Sequence, residues 1–264
     1  MAYKIACQLI TWRSRYDQDN NKVQFKKPIT DIAGMLQEVK QAGYDGVGGV
    51  IVKTLEELQE YLLGCRKLHL EIAQLSGPIE MSAALGMPSH MTGAPSRAKC
   101  PGGCPTEEDY RQATEEIRKT VGKGKEWGMR VYLHNHLWTL AESRQEIDRY
   151  MQAIPDLYLC PDIAHLAAAG GDPIALVRDY GHRLANIHLK DWFQFKDRKG
   201  PFPYPDGIFT ELGQGNIGID VPTILHLLEE IGYTGWLVVE LDFTRYTPFE
   251  SAKMSRDYLR ELGY

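Results

Sequence analysis

Short apolar runs alternate with longer amphipathic runs from one end of the chain to the other, and this alternation restricts the fold more than any other feature. The apolar runs fall near 3–11, 44–50, 70–76, 87–92, 129–136, 156–162, 183–190 and 235–241 and predict strands. Amphipathic stretches near 28–42, 54–68, 78–86, 106–127, 143–153, 172–180 and 220–231 predict the helices between them, and one near 249–262 closes the chain. Strands that alternate with helices build a parallel sheet. Eight such units in 264 residues predict a single α/β domain over 1–264, closed as a (β/α)8 barrel. Local signals agree. Thr106-Glu-Glu-Asp puts acids in the first turn of a helix, where the dipole favours them. Asp172 precedes a proline suited to the first helical position. Gly43, Gly128 and Gly232 fall just past helix-like runs, as left-handed C-caps do.

Two segments, 93–105 and 191–218, interrupt the rhythm. Both follow strands, so both are expected on the C-terminal, catalytic face of a barrel. The second carries Trp192, Phe193, Phe195, Phe202, Tyr204 and Phe209. It reads either as a packed lid over a substrate or as a loop that packs on a neighbouring subunit. The glycines of Leu212-Gly-Gln-Gly-Asn-Ile-Gly218 lack the strand–loop–Lys-Ser/Thr order of a phosphate loop and predict a plain turn.

Composition excludes several function classes. Thirty basic residues against 35 acidic ones give a net charge of −5, with no basic tract for nucleic acid. No run reaches membrane-spanning length, and the first residues carry no signal-peptide core. Five cysteines make an odd number without the spacing of a secreted framework. Cys100-Pro-Gly-Gly-Cys104 reads as a turn, and Cys7, Cys65 and Cys160 as small core residues. The expectation is a cytoplasmic enzyme with reduced thiols.

Charged and imidazole side chains end several of the strand-like runs. Asp162, His188 and Glu240 terminate three successive ones. Such groups at the tips of buried strands are costly unless they bind something, and together they point to a divalent-metal site with open positions for a substrate. Lys190 shares a strand face with His188. It is either a proton donor or oxyanion stabiliser, or a structural partner of an acid such as Asp191 or a glutamate across the barrel. His165, three residues beyond Asp162, either meets substrate or metal or caps the following loop. His134 and His136 end the fifth run on one face, as ligands, acid–base groups or substrate contacts. Glu142 follows them and either swings back to the metal or caps the helix near Ser143. Of these, His136, His165 and Lys190 are the candidate catalytic groups, and His134, Trp12, His90 and Arg245 the candidate substrate contacts.

The runs Tyr132-Leu-His-Asn-His136, Pro161-Asp-Ile-Ala-His165, Asn186-Ile-His-Leu-Lys-Asp-Trp192, Glu211-Leu-Gly-Gln-Gly-Asn-Ile-Gly-Ile-Asp220 and Gly235-Trp-Leu-Val-Val-Glu-Leu-Asp242 occur in this order. Together they resemble the xylose-isomerase-like TIM-barrel superfamily of sugar isomerases and epimerases, inosose dehydratase and endonuclease IV. The resemblance implies one divalent cation held by two glutamates, an aspartate and a histidine. Asp162, His188 and Glu240 match three of these ligands. Many relatives have a glutamate where this chain has His134, so Glu142 is the expected fourth ligand. A carboxylate-rich set favours Mn2+, with Co2+, Mg2+ or Zn2+ as alternatives, and a strand-five histidine in its place would shift the preference towards Zn2+, Co2+ or Ni2+. Gly48 replaces an acid that relatives carry at the second strand, which bears on substrate identity.

The chemistry implied is proton removal beside a carbonyl through a metal-stabilised enediolate. The histidines that could serve a leaving group favour a lyase on a keto-sugar or keto-inositol, with a sugar isomerase or epimerase as the alternative. An endonuclease IV-like nuclease would need more metal ligands and a basic groove, and a non-catalytic sugar-binding subunit would not need the intact Asp162/His188/Glu240 set. The expected partner is a small carbohydrate, without nucleic acid or membrane, and a homo-oligomer or partner subunit is left open.

Overall fold

The computed structural model describes residues 3–17, 19–24, 29–197, 199–201 and 203–264, so Pro28 and the lid aromatic Phe202 lie outside the described residues. The eight predicted strands are present: β1 (Ile5–Gln8), β2 (Gly46–Gly48), β3 (Glu71–Ile72), β4 (Ser89–Gly93), β5 (Arg130–His134), β6 (Tyr158–Cys160), β7 (Asn186–Leu189) and β8 (Trp236–Val239). So are the eight helices: α1 (Ile32–Ala42), α2 (Leu55–Leu68), α3 (Ile79–Ala84), α4 (Glu107–Glu126), α5 (Arg144–Ala153), α6 (Pro173–Tyr180), α7 (Val221–Glu230) and α8 (Pro248–Glu261). The expected signals set their ends. Thr106 and Asp109 form a reciprocal capping box at α4, Asp172 caps α6 ahead of Pro173, and Gly43 ends α1 at φ 94°.

The chain forms two compact units, residues 1–76, 188–219 and 236–264 in one and 77–187 and 220–235 in the other. In the first unit, β8, β1, β2 and β3 lie side by side and parallel, with β7 beyond β8. The unit boundary falls inside β7, between Ile187 and His188. Ala6 pairs with Gly46 on one side and Val238 on the other, and Ala6, Ala73 and Val238 form a buried cluster with Trp236 packed on it. Gly46 must be glycine, because a Cβ there would stand 2.9 Å from the Trp236 ring and 2.6 Å from the Glu71 carbonyl. Strand alternation then turns Gln8 and Glu240 to the same face as Ala6 and Val238. Two hairpins are added to this unit, one pairing 15–17 with 22–24 and one pairing Asp191–Gln194 with Gly207–Thr210.

In the second unit, β4, β5 and β6 are parallel, with Cys160 opposite His134 and His90 opposite Val131. The two faces are distinct. Tyr132, Cys160 and Ala185 form one buried cluster, with Met91 and Tyr158 against it. Val131 points the other way, to α4, where a Cβ on Gly124 would be 2.5 Å from its methyl group. Leu133, Leu159 and Ile187 are wholly buried, and each such side chain contributes about 1.5–3 kcal/mol relative to exposure.

Two features after β6 and β7 depart from the predicted elements. A short helix, Ile163–Ala168, begins directly after β6. The long segment after β7 is a hairpin rather than a loop. Cys100–Cys104 encloses one short 3-10 turn, Pro101–Gly103, consistent with the expected turn, and the five cysteines are unbridged.

Candidate active site

In the first unit the site is built from the ends of β7 and β8. His188, Lys190 and Glu240 are buried. The His188 Nδ1 meets the Glu240 carboxylate. Its Nε2 lies 2.9 Å from Gln74 Oε1, which also accepts from Gln8 Nε2 at 3.3 Å. Gln74 presents a carbonyl oxygen, so the His188 proton resides on Nε2 and the Nδ1 lone pair faces the Glu240 carboxylate. A lone pair against a carboxylate is repulsive without a cation between them or a proton on the ring. A histidine that donates one N–H to a fixed acceptor and turns the other nitrogen to an acidic group is the arrangement of a metal ligand with its supporting partner. This donor set fits a divalent ion.

Lys190 Nζ donates to Asp242 Oδ2 at 3.0 Å, lies 3.4 Å from Glu240 Oε1, and sits 4.4 Å from the centre of the Phe209 ring. Its acidic neighbours thus include Asp242 and, as the expected alternative allowed, a glutamate, Glu240. The Asp191 carboxylate instead accepts from the backbone N–H groups of Trp192 at 2.8 Å and Gly215 at 3.1 Å. A Cβ at Gly215 would be 1.9 Å from Asp191 Oδ1, so the glycine-rich stretch after the hairpin is structural, as expected. The hairpin packs its aromatics on its own unit, Trp192 on Phe209 at 4.8 Å and Tyr204 on Phe243 at 5.4 Å.

In the second unit the site is built from the ends of β5 and β6. Asp162 is wholly buried and caps the Ile163–Ala168 helix by accepting from the His165 N–H at 2.9 Å. Asn135 clamps the Asp162 backbone twice, accepting its N–H at 2.8 Å and donating to its carbonyl at 3.1 Å. The other carboxylate oxygen lies 3.4 Å from His134 Nε2 and 3.9 Å from His165 Nε2. A buried carboxylate is costly unless hydrogen bonds or a cation compensate it. Here too an acid and an imidazole stand together where a divalent ion fits. The His136 and His165 rings are 3.7 Å apart, centre to centre.

Several of the candidate residues make other contacts. Glu142, expected as the fourth ligand, has another task. Its Oε2 accepts from the Trp138 N–H at 2.7 Å and from Arg97 Nε at 3.1 Å. Nor does it cap α5, where Ser143 and Glu146 form the capping box. His134, not Glu142, is the strand-five residue beside Asp162. His90, expected to touch substrate, shares the Val131 face of the sheet and bonds Ser82 of α3 at 2.9 Å. It faces the helices, and burial holds its pKa below the usual imidazole value. Trp12 stands in a four-residue helix after β1, and its Nε1–H donates to Glu38 of α1 at 2.6 Å. Arg245 is exposed, lies 5.7 Å from the Tyr16 ring centre, and lines a cavity of about 240 Å³ with Phe193, Phe209, Glu211 and Phe243.

Gln8, Gln74, Asn135 and Asp242 bond to one another or to the candidate residues, and none of them stood out in the sequence. Asp242 carried a signal, since it shares strand parity with Glu240. The amides carried none beyond their place at strand ends.

The model of the xylose isomerase-like TIM barrel family matches residues 66–262. The chain belongs to that family. Among curated relatives, inosose dehydratase of Clostridium tetani is 35% identical over 167 residues, covering 59% of this chain and 55% of that protein. The match thus spans little more than half of that relative's length. Inosose dehydratase of Klebsiella pneumoniae is 29% identical over 253 residues, covering 90% of this chain and 80% of the relative. A xylose isomerase-like TIM barrel protein from Mycobacterium smegmatis, solved in complex with magnesium, superposes with a TM-score of 0.72 at 15% identity, over 99% of this chain and 96% of that one. The xylose isomerase-like fold accounts for the order of strand and helix units, and for site residues at the C-terminal ends of the strands. No helix among the described residues is long and apolar enough to cross a membrane.

Proposed function

We propose that this family member is a divalent-metal-dependent lyase that removes a proton beside the carbonyl of a keto-sugar or keto-inositol and expels a β-hydroxyl as water. The observation that carries the proposal is the His188 ring, held by Gln74 with its lone pair towards the buried Glu240 carboxylate. In this reading 1–264 acts as one barrel, and Asp162, His188, Glu240 and His134 hold a single ion. With a histidine in place of the expected Glu142, two nitrogens and two carboxylates suit Zn2+, Co2+ or Ni2+ as well as Mn2+. When bound, the ion supplies Lewis-acid polarisation of the substrate carbonyl and of the hydroxyl beside it.

The chain's own residues do the rest. His136 accepts the proton from carbon. His165 holds the β-hydroxyl by hydrogen bond and gives it the proton with which it leaves as water. Lys190, kept in place by Asp242 at 3.0 Å, places a positive charge beside the oxygen on which negative charge builds up. The closed hairpin aromatics exclude water from one side of the ring. The names of the Clostridium and Klebsiella relatives support loss of water from an inosose over the two other fates of the same intermediate. The proposal includes the cytoplasm as the location, where five unbridged cysteines stay reduced.

Incubation with Mn2+ and a panel of inososes and keto-sugars in D2O, followed by NMR, tests this reading. Deuterium uptake at the carbon beside the carbonyl, together with a dehydrated product, is the expected result, abolished by chelator and restored by Mn2+. Deuterium uptake with inversion, or with carbonyl migration, and no dehydration assigns an epimerase or isomerase instead. Full turnover in chelator contradicts metal-assisted enolisation.

A further inference from the structure

The residue that the sequence offers as a metal ligand has a different part in the site. We propose that Glu142, braced by Arg97, is a positioning residue that sets opposite tautomers in the stacked rings of His136 and His165. The proposal rests on the lyase reading only for the use made of the two tautomers.

One residue, Leu137, touches both rings through its backbone. Its N–H donates to His165 Nδ1 at 3.2 Å, and its carbonyl lies 2.7 Å from His136 Nδ1. An imidazole that accepts at Nδ1 carries its proton on Nε2. A neutral imidazole that donates at Nδ1 has its lone pair on Nε2. His136 is therefore an acceptor at Nε2 and His165 a donor at Nε2, with ring centres 3.7 Å apart. Proton abstraction needs the first, and holding a substrate oxygen needs the second.

The Leu137 carbonyl is aimed by the residue after it. Trp138 has φ 63°, in the left-handed region that a bulky side chain disfavours. Such a conformation persists where its surroundings over-determine it, and here they do. The Trp138 N–H donates to Glu142 Oε2 at 2.7 Å, and Arg97 Nε donates to the same oxygen at 3.1 Å. The Arg97 N–H donates to the Trp138 carbonyl at 2.8 Å. The guanidinium is fixed in turn by Glu146 Oε1 at 2.5 Å. The strut Glu146–Arg97–Glu142 thus holds the one strained turn on which the His136 tautomer depends.

The test is two-bond 1H–15N correlation NMR on histidine-labelled protein, metal-free and Mg2+-loaded, with His136→Asn and His165→Asn to assign the rings. Wild type should show the Nδ1–H form at His136 and the Nε2–H form at His165. Glu142→Ala should shift His136 towards the Nε2–H form and lower kcat about 10–100-fold, the usual loss for an outer support, while KM and metal affinity stay the same. Glu142→Gln keeps an acceptor oxygen for the Trp138 N–H and should restore most of both. Arg97→Gln, which removes the brace from the other side, should give the Glu142→Ala signature and replaces it if that variant does not fold. The Nε2–H form at His136 in wild type, unchanged tautomers in Glu142→Ala, or loss of metal from that variant would each overturn the inference. The tautomers are read without substrate. A protein with the stated tautomers that turns over no inosose or keto-sugar would sink the lyase reading and leave this one standing.

Discussion

At the scale of single residues, the site depends on which nitrogen of each ring carries the proton. Gln74 fixes this for His188, and Gln8 fixes Gln74. Replacing Gln74 by Leu removes the acceptor, frees the ring to rotate or change tautomer, and leaves an apolar side chain of similar size. The expected outcome in a calorimetric Mn2+ titration is affinity lowered about 10–100-fold, with the circular dichroism spectrum unchanged. Unaltered affinity would mean that Gln74 is packing alone. Asp162, His188 and Glu240 were legible in the sequence, because an ionisable group that ends an apolar run stands out physically. Gln74 and Asn135 were not, since a neutral amide at a strand end is ordinary. Glu142 is a different case. Its proximity in sequence to His136 is real, but a left-handed Trp138 and an arginine 45 positions upstream decide where the carboxylate goes.

At the scale of elements, the helices were legible because their caps are local chemistry. Thr106, Ser143 and Thr247 each form the reciprocal box with the acid three residues on. The Ile163–Ala168 helix was not, because six mostly apolar residues directly after a strand give no period to distinguish them. The 191–210 hairpin was hidden by the long connection between its strands. One cap also carries a pH dependence. Burial raises the pKa of Glu146, but hydrogen bonds from the Ser143 backbone, the Tyr110 and Ser143 hydroxyls, and the Arg97 charge outweigh it and leave the value lowered. A carboxylate with a folded pKa below its unfolded value, about 4.3, contributes stability above that unfolded value and loses it as pH falls through the folded one. Glu146→Gln should therefore cost about 1–3 kcal/mol in urea unfolding at pH 7. The gap from wild type should narrow as pH drops below about 4. An equal gap at both pH values would remove the charge from the explanation.

At the scale of the whole molecule, eight repeats of strand and helix were readable from hydrophobic period alone, and membership of the xylose isomerase-like family agrees with them. What period could not supply is the close contacts on each face of the strands, such as Gly46 on Trp236 on one face and Gly124 of α4 on Val131 on the other. The central claim of the proposed function is that Asp162, His188 and Glu240, far apart in sequence, serve one ion. Metal content per chain, measured after dialysis against Mn2+ on wild type, Asp162→Ala and Glu240→Ala with circular dichroism as the check on folding, tests this most directly. The account predicts one ion per wild-type chain and its loss from each folded variant taken singly. Wild type without a tightly held ion, or either variant retaining the ion at wild-type affinity, would contradict it.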